Sequence, residues 1–242
     1  MRVLVTGSAE GLGHATADTL PAAGRDVVVH VRNRDRLAAV RGLLERGATV
    51  GVGDLAHLDQ AREVAAQANA SGRMDAVIHN AGVYTGPAVL PVNVMAPYAL
   101  TLLMHRPDRL VYLSSGAHRG GRPHLAGLDW RGGRVSCSYS DSKLFLTAFT
   151  LALARLWPDV HSNAVDPGWV PTRMGGPNAP DDLRLGHVTQ EWLATSDDQE
   201  ALTSGGYWHH RHRSQPHPSA QDERVQAELI DALAGFTDLP LG

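Results

Sequence analysis

Two side chains suited to proton transfer, Tyr139 and Lys143, stand four residues apart in the segment YSDSK. Lys143 is the only lysine among 22 basic residues, and of the five tyrosines only Tyr139 has a lysine four positions on. Residues at i and i+4 of a helix share one face, and a neighbouring ammonium lowers a phenol pKa from about 10. The pair therefore predicts a phenol that exchanges a proton with an alcohol oxygen near neutral pH. An exposed helical pair would have the same spacing.

Two further polar residues stand in apolar surroundings upstream. Ser115 follows an apolar run that ends at Ser114, where a hydroxyl could hold a substrate oxygen for the tyrosine. Asn93 lies inside an apolar helical stretch, where an unsatisfied amide would cost stability. Asn93 is therefore either a capped or buried structural residue or one that holds a water molecule.

A glycine-rich segment, Thr6–Gly13, follows the first apolar run and precedes a helical stretch. Glycines allow a tight turn and a close approach of backbone N–H groups to a pyrophosphate, and a helix N-terminus adds partial positive charge. The spacing G-x-x-x-G-x-G differs from the general dinucleotide fingerprint G-x-G-x-x-G, and a glycine turn without a ligand is the alternative. Asp54-Leu55 and Asn80-Ala81-Gly82 follow two later strands, where ligands collect.

The end of the second predicted strand bears on the choice of cofactor. A carboxylate there would bind the ribose 2′-hydroxyl of NAD, but the run continues with Arg32, Asn33 and Arg34. Arg32 could bind a 2′-phosphate, so we predict NADP, with NAD as the alternative if both arginines only face solvent. Glu10 in the glycine loop counts against a nearby 2′-phosphate.

The elements that must position these residues alternate along the chain. Unbroken apolar runs predict parallel strands covered on both faces, and alternation with helices predicts a doubly wound α/β sheet. We expect one Rossmann-type domain over residues 1–242, with the cofactor-binding and catalytic core in 1–170 and a substrate loop, last strand and C-terminal helix in 171–242. The predicted strands are Arg2–Thr6, Asp26–Val31, Ala48–Val52, Asp75–His79, Arg109–Ser114, Val160–Val165 and a short one in Gly205–Trp208. The predicted helices are Leu12–Ala23, Asp35–Arg46, His57–Ala70, Ala88–Met104, Tyr139–Leu156 and Val225–Ala234.

Composition limits the classes of function. The 242 residues are 43% hydrophobic and 19% charged, with a net charge of −3. This composition argues against a disordered chain and against a nucleic-acid partner held by bulk positive charge. One cysteine, Cys137, cannot form an internal disulfide or a thiolate zinc cluster, and we expect no metal site. We find no signal sequence and no apolar run that could span a membrane, so a cytoplasmic protein without a membrane partner is expected.

Taken in order, these motifs resemble the short-chain dehydrogenase/reductase family, in its compact single-domain subgroup. The matching pieces are Thr6–Gly13, Asp54, Asn80–Gly82, Asn93, Ser115, Tyr139–Lys143 and Pro167-Gly168. The resemblance implies that Ser115 positions a carbonyl, that Tyr139 is the acid/base, that Lys143 holds the nicotinamide ribose and tunes Tyr139, and that Asn93 maintains a water relay to Lys143. The implied cofactor-binding residues are Gly7, Ser8, Glu10, Gly11, Leu12, Gly13, Arg32, Asp54, Leu55, Asn80, Ala81, Gly82, Tyr139, Lys143, Pro167, Gly168, Val170 and Thr172.

The resemblance also bears on branch and assembly. The long loop before Tyr139 and the closing Gly-Gly-Tyr-Trp run look most like the retinol-dehydrogenase-like branch, which is usually NADP-linked. The family implies a homodimer or homotetramer built on the helices that hold Asn93 and Tyr139. The chain departs from the pattern in two ways: the segments on either side of Asn93 are shorter than usual, and His79 stands where the family often has an asparagine.

The substrate side is expected in the segments Gly116–Ser138 and Arg173–Ser204. Trp169, Met174 and Trp192 could line an apolar pocket, or the tryptophans could only fix the loop to the core. The run HHRHR at 209–213 has no acidic residue nearby in sequence and is expected to be a solvated basic patch rather than a metal site.

Three functions fit these residues to different degrees. The leading one is NADP(H)-dependent interconversion of a ketone or aldehyde with an alcohol. A catalytically silent NAD(P)-binding regulator should lack Tyr139 or Lys143, and both are present. A nucleotide-sugar epimerase usually needs a longer C-terminal domain than this chain supplies. The small-molecule substrate itself cannot be deduced from the sequence.

Overall fold

The computed structural model describes residues 1–241. Its strands are β1 (Arg2–Val5), β2 (Asp26–Val31), β3 (Thr49–Val52), β4 (Ala76–His79), β5 (Arg109–Leu113), β6 (His161–Asp166), β7 (Tyr207–His209) and β8 (His212–Ser214). Its α-helices are α1 (Gly11–Thr19), α2 (Arg41–Glu45), α3 (Leu58–Ala70), α4 (Ala96–Leu103), α5 (Tyr139–Leu156), α6 (Leu183–Thr195), α7 (Pro218–Gln221) and α8 (Glu223–Thr237). Short 3₁₀ segments cover Pro21–Ala23, Arg34–Val40 and Gly116–Gly120.

All eight strands form one sheet in the order β3-β2-β1-β4-β5-β6-β7-β8. The first seven are parallel and β8 is antiparallel to β7. The order in which strands are added reverses between β1 and β4, which is the topological switch point where an α/β sheet opens a ligand crevice. The predicted Rossmann-type fold is therefore confirmed.

Helices cover both faces of the sheet, as the unbroken apolar strands predict. One core cluster packs the faces of α3, α4, α5 and α8 against the sheet, with Leu110 and Phe149 among its members. The other packs α1, α2 and α6 on the opposite face, with Val29 and Trp208 among its members. Because both faces of the central strands are buried, a ligand can reach the sheet only at the carboxyl ends of the strands.

Four elements differ from the sequence prediction. The stretch predicted as one helix over Ala88–Met104 contains a π-helical turn at Pro91–Met95 before α4 begins. The region predicted as helix over Asp35–Arg46 is mostly 3₁₀ and ends in the short α2. Helix α6 lies in a region expected to be an irregular excursion, and β8 is likewise additional.

The expected oligomer surface is partly covered by the chain itself. Helix α5 packs against α7 and α8, and Leu229 and Leu233 of α8 belong to the same core cluster as Phe149. The hydroxyl of Tyr98 in α4 donates to the Leu239 carbonyl at 2.6 Å. The C-terminal segment therefore covers parts of α4 and α5, on which the resemblance places a subunit interface, and the homodimer or homotetramer stays a prediction. No helix within residues 1–241 has the length and apolar character needed to cross a bilayer.

Candidate active site

The glycine loop between β1 and α1 is a tight turn with room for backbone only. Gly7 and Gly11 have φ angles of +69° and +58°, which favour glycine. A Cβ atom on Gly13 would lie 2.3 Å from both the Gly7 carbonyl oxygen and the Asn80 amide nitrogen. The loop therefore requires glycine at these positions, and it leaves an open cradle at the start of α1.

A polar clasp joins the glycine loop to the end of β4. The Thr6 hydroxyl oxygen accepts hydrogen bonds from the backbone N–H groups of Asn80 and Ala81, both at 3.0 Å. The Asn80 side-chain amide donates to the carbonyl oxygens of Thr6 at 2.9 Å and Gly7 at 3.2 Å. Asn80 and Ala81 thus hold the loop at the switch point.

Sequence reasoning missed His30, which supports the glycine loop from the buried side of β2. Its Nδ1 accepts from the Gly7 N–H at 3.0 Å, so Nε2 carries the proton and bonds the Gly53 carbonyl at 2.9 Å. Burial lowers the pKa of His30 and keeps the ring neutral. The Ser8 hydroxyl bonds the Val5 carbonyl at 2.5 Å and the His30 N–H at 3.2 Å, so this side chain stabilises the loop from within.

Exposed arginine side chains lie after β2, at the end of the crevice where the adenosine of a dinucleotide would bind. Arg32 and Arg34 are exposed after β2, and the charge of Glu10 is met by Arg36 at 2.7 Å and Arg173 at 3.7 Å. The objection that Glu10 would repel a 2′-phosphate is weakened by these ion pairs. One of the predicted cofactor-binding residues is already engaged, because the Asp54 carboxylate accepts from the Ala56 N–H at 3.0 Å.

Leu55, which follows Asp54 in the predicted pair, is only 3% exposed and packs in the core. Its side chain is therefore not available to an adenine ring. The backbone around it lies at the carboxyl end of β3, where the polar neighbour Asp54 remains half-buried.

Tyr139, Ser115 and Lys143 meet at the carboxyl edge of the sheet. Tyr139 begins α5, which is started by a capping box between Ser138 and Asp141. The Ser115 hydroxyl, at the end of β5, is close enough to the Tyr139 phenol to lower its pKa by hydrogen bonding. Lys143 is one turn further along the same face, with Nζ 5.5 Å from the centroid of the Tyr139 ring.

The charge state of Tyr139 differs from the sequence prediction. Burial raises the pKa of Tyr139 to about 12, outweighing the lowering by Ser115, and the nearby Asp166 and Tyr84 raise it further. Lys143 does not offset this, because its Nζ donates to the Leu113 carbonyl at 2.5 Å and burial lowers the pKa of Lys143 to about 8. The prediction of a lowered phenol pKa was therefore wrong for the protein without ligand, in which the Tyr139 phenol is protonated at neutral pH.

Asn93 sits within the π-helical turn and is fully buried. Its side chain accepts from the Val83 N–H at 2.9 Å and donates to the Val83 carbonyl at 3.0 Å and the Ser142 hydroxyl at 3.0 Å. A Cβ on Gly82 would lie 3.4 Å from Asn93 Oδ1 and 3.7 Å from Lys143 Nζ. Asn93 thus fixes the chain after the Asn80–Gly82 turn close to Lys143.

The segment after β6 closes over the glycine loop. Gly168 has a φ angle of +83°, and its N–H bonds Asp166 Oδ1 at 3.1 Å. A Cβ on Gly11 would lie 3.4 Å from the Thr172 side chain, so the loop reaches the start of α1. The side chain of Val170 is buried, and the backbone of Pro167 lies against Gly186 of α6.

The exposed apolar side chains near the site are Tyr84, Trp169 and Met174. The Tyr84 ring lies 4.8 Å from the Tyr139 ring, while the Trp169 indole also donates to the Gly175 carbonyl at 2.8 Å and so fixes its own loop. Trp192 follows the second of its two alternatives, because it packs on Trp208 in the core with the ring centroids 5.3 Å apart.

The 209–213 run is solvated as predicted at Arg211, His212 and Arg213, which are exposed, whereas His209 has an acidic neighbour. The run forms the β7–β8 hairpin beside the site, and His209 Nδ1 lies 3.7 Å from Asp166 Oδ2. This acidic neighbour, Asp166, is 43 residues away in sequence, so the local sequence pattern could not reveal it.

The cradle fits a dinucleotide. Protein atoms fill the Cβ positions of Gly7 and Gly13, so these glycines let the loop lie close against the Asn80–Ala81 turn. A cavity lined by Gly11 and Thr172 lies beside the first residues of α1, whose N–H groups suit an anion. The residues that would hold the cofactor are the glycine loop, Arg32, Asn80, Lys143 and Thr172.

Comparisons with known proteins place the chain in a family. A short chain dehydrogenase model matches residues 1–101. An uncharacterized oxidoreductase of Emericella nidulans is 36% identical over 95% of this chain and 94% of its own length. The short-chain dehydrogenase chry4 of Gibberella zeae is 33% identical over 99% of this chain and 98% of its own length. The chain therefore belongs to the short-chain dehydrogenase family and is an enzyme of that family.

Solved structures agree on the fold. An uncharacterised protein from Mycobacterium Paratuberculosis superposes with a TM-score of 0.80 at 28% identity, covering 100% of this chain and 94% of that one. A short chain dehydrogenase from Shigella flexneri 2a, complexed with NADP, superposes with a TM-score of 0.67 at 23% identity, covering 87% and 97%.

The expected branch is supported less well than the family. Human retinol dehydrogenase 13 is 29% identical over 94% of this chain and 81% of its own length. It is thus more distant than the two fungal oxidoreductases, and the resemblance to the retinol-dehydrogenase-like branch does not single out that branch.

Proposed function

We propose that this enzyme is an NADPH-dependent carbonyl reductase, which interconverts a ketone or aldehyde with its alcohol. The observation that carries the proposal is the convergence of Tyr139, Ser115 and Lys143 beside the glycine cradle at the switch point. A phenol, a hydroxyl and a buried ammonium are the groups that polarise and protonate a carbonyl oxygen.

NADPH supplies the hydride when bound, and the residues of this chain supply the proton and the orientation. Ser115 and Tyr139 present two O–H groups to one carbonyl oxygen, so the substrate carbon is held towards the cradle. Tyr139, with a pKa of about 12, is protonated at neutral pH and donates its proton as negative charge develops on that oxygen. Lys143 lies beside Tyr139 with its ammonium fixed by the Leu113 carbonyl, and it would hold the nicotinamide ribose.

Three observations support NADPH over NADH. The end of β2 carries the exposed Arg32 and no carboxylate, and a 2′-phosphate favours an arginine there. Glu10, the acidic residue of the loop, is paired with Arg36 and Arg173. The Shigella relative of the same fold is described as complexed with NADP.

NADPH oxidation at neutral pH against a panel of ketones and aldehydes tests the proposal, with wild type beside Tyr139→Phe. Turnover that disappears in Tyr139→Phe while NADPH still binds is the expected result. Tyr98→Phe is the matched control, because it removes a phenol hydroxyl that bonds Leu239 far from the site. If NADPH binds but wild type and Tyr139→Phe are equally silent on a broad panel, a regulatory NADPH-binding protein becomes the better description.

A further inference from the structure

His118 is a fully buried histidine three residues beyond Ser115, in the 3₁₀ segment Gly116–Gly120. Both its backbone N–H and its ring Nδ1 lie within hydrogen-bond distance of the Ser115 carbonyl oxygen, at 3.0 Å and 2.8 Å. The backbone of Ser115 is therefore held twice by the same residue. The Ser115 side chain, in contrast, is held within this segment only by the Ala117 N–H, at 3.2 Å.

The other ring nitrogen of His118 is bonded to the C-terminal part of the chain. The backbone N–H of His217 donates to His118 Nε2 at 2.9 Å across 99 residues of sequence. Since a backbone N–H can only donate, Nε2 is unprotonated and Nδ1 carries the proton that Ser115 accepts. Both ring nitrogens are thus committed, and the tautomer is fixed by the two partners.

The neighbours of His118 hold the ring in this place. It packs on the Tyr207 ring with centroids 4.6 Å apart, and His217 is set between two prolines and caps α7 through the Ser219 N–H at 3.1 Å. Burial lowers the pKa of His118, so that the neutral form needed for this arrangement prevails.

We infer that His118 is a positioning residue for the reaction: it fixes Ser115 beside Tyr139 and couples that geometry to the segment around His217. The inference rests on the proposed reductase activity, in which Ser115 holds the carbonyl oxygen. His118 acts through Ser115 and contacts neither substrate nor cofactor in this account.

Two variants separate positioning from packing. His118→Phe keeps an aromatic ring against Tyr207 but loses both ring hydrogen bonds. His118→Asn loses the ring, yet its amide can place an N–H near the Nδ1 position and bond the Ser115 carbonyl, while it is too short to reach His217. Positioning predicts that His118→Phe is the more damaging change, whereas packing predicts the reverse.

The first readout is kcat per NADPH-binding site, measured by cofactor titration on the same sample. We expect kcat to fall at least about tenfold in His118→Phe, because small misplacements of an orienting group carry large rate penalties. NADPH affinity should stay within about threefold of wild type, since the cofactor cradle is elsewhere. His118→Asn should recover most of the loss. A His118→Phe enzyme with wild-type kcat per site, or one that outperforms His118→Asn, would overturn the inference.

The second readout is hydrogen exchange, which needs no turnover. In His118→Phe, peptides covering 115–121 and 215–221 should both exchange faster, whereas in His118→Asn only 215–221 should do so. If wild type reduces no carbonyl, the proposed function fails and the exchange pattern alone decides on His118. Unchanged exchange at 115–121 in His118→Phe would overturn the coupling whatever the activity.

Discussion

The ammonium nitrogen of Lys143 lies 5.5 Å from the centre of the Tyr139 ring while it donates to the Leu113 carbonyl at 2.5 Å. The helix spacing brings the two side chains to one face, but the backbone carbonyl at the end of β5 takes the ammonium. Tyr139 is consequently governed by its burial, and its pKa of about 12 makes it an acid rather than a base at neutral pH.

The pH dependence of alcohol oxidation should reveal the effect of the Asp166 charge on the pKa of Tyr139. Oxidation requires the Tyr139 phenolate, so its rate should rise with pH towards the pKa of about 12. Asp166→Asn removes a negative charge that opposes the phenolate, and it retains an oxygen for the Gly168 N–H. The rise in oxidation rate should therefore move to lower pH. Below the pKa of Tyr139, each unit by which that pKa falls should make oxidation up to about tenfold faster.

Asp35→Asn is the control for that pH profile, because it removes the same charge from an exposed residue. It should leave the profile in place. A profile that is identical in Asp166→Asn and wild type would show that Asp166 does not influence Tyr139.

Cofactor choice should depend on Arg32. Arg32→Ala removes a charge-assisted contact with a 2′-phosphate, which is worth roughly 1.5–3 kcal/mol, or about 10- to 150-fold in NADPH affinity. NADH affinity should change by less than about twofold, because NADH has no such phosphate. Fluorescence titration of both cofactors measures this, with Arg224→Ala on the exposed side of α8 as a control for loss of one positive charge. Equal losses for NADPH and NADH would refute the assignment.

Two glycine-to-alanine changes should have opposite outcomes. Gly13→Ala places a Cβ atom 2.3 Å from the Gly7 carbonyl, so the loop must shift and NADPH binding should be lost. Gly235→Ala in α8 meets nothing within 4 Å and should stabilise the helix by roughly 0.5–1 kcal/mol. Thermal unfolding and NADPH titration check both. Retained NADPH binding in Gly13→Ala would argue against the cradle.

Asn93 should contribute chiefly to stability. Asn93→Ala leaves the Val83 N–H and carbonyl without their side-chain partner, which costs roughly 1–3 kcal/mol for a buried polar group. Urea unfolding measures the loss against Asn33→Ala, an exposed asparagine whose removal should stay within about 0.5 kcal/mol. A destabilisation no larger than that of Asn33→Ala would contradict the buried clamp.

The fold was predictable where hydrophobic patterning is strong. Strands β1 to β5 are largely apolar runs, and their alternation with helices fixes a parallel sheet. Helix α6 escaped prediction because its buried face includes Gly186, Thr189 and Gln190. The side-chain N–H groups of Gln190 donate to the Gly186 carbonyl and the Thr16 hydroxyl, partners that no hydropathy pattern reveals.

The candidate site, like the fold, was predictable only where the sequence carries a local pattern. Tyr139, Lys143 and the glycine loop have a diagnostic spacing within one segment each, and the structure brings them to one edge of the sheet. His30 and His118 are single histidines without a spacing signal, and their partners Gly53 and His217 are distant in sequence. The packing of the C-terminal segment against α4 and α5 is equally a tertiary property that no local pattern reveals.

Transfer of deuterium tests the central claim most directly, with NADPH that carries deuterium at both hydrogen positions of its reactive carbon. With a ketone reduced in the panel, wild type should give an alcohol one mass unit heavier than with unlabelled NADPH, carrying the label on the former carbonyl carbon. Tyr139→Phe should bind the labelled cofactor and yield at least about a thousandfold less alcohol, since the loss of the proton donor costs several kcal/mol. Unlabelled alcohol, or labelled alcohol formed equally fast by Tyr139→Phe, would contradict the account.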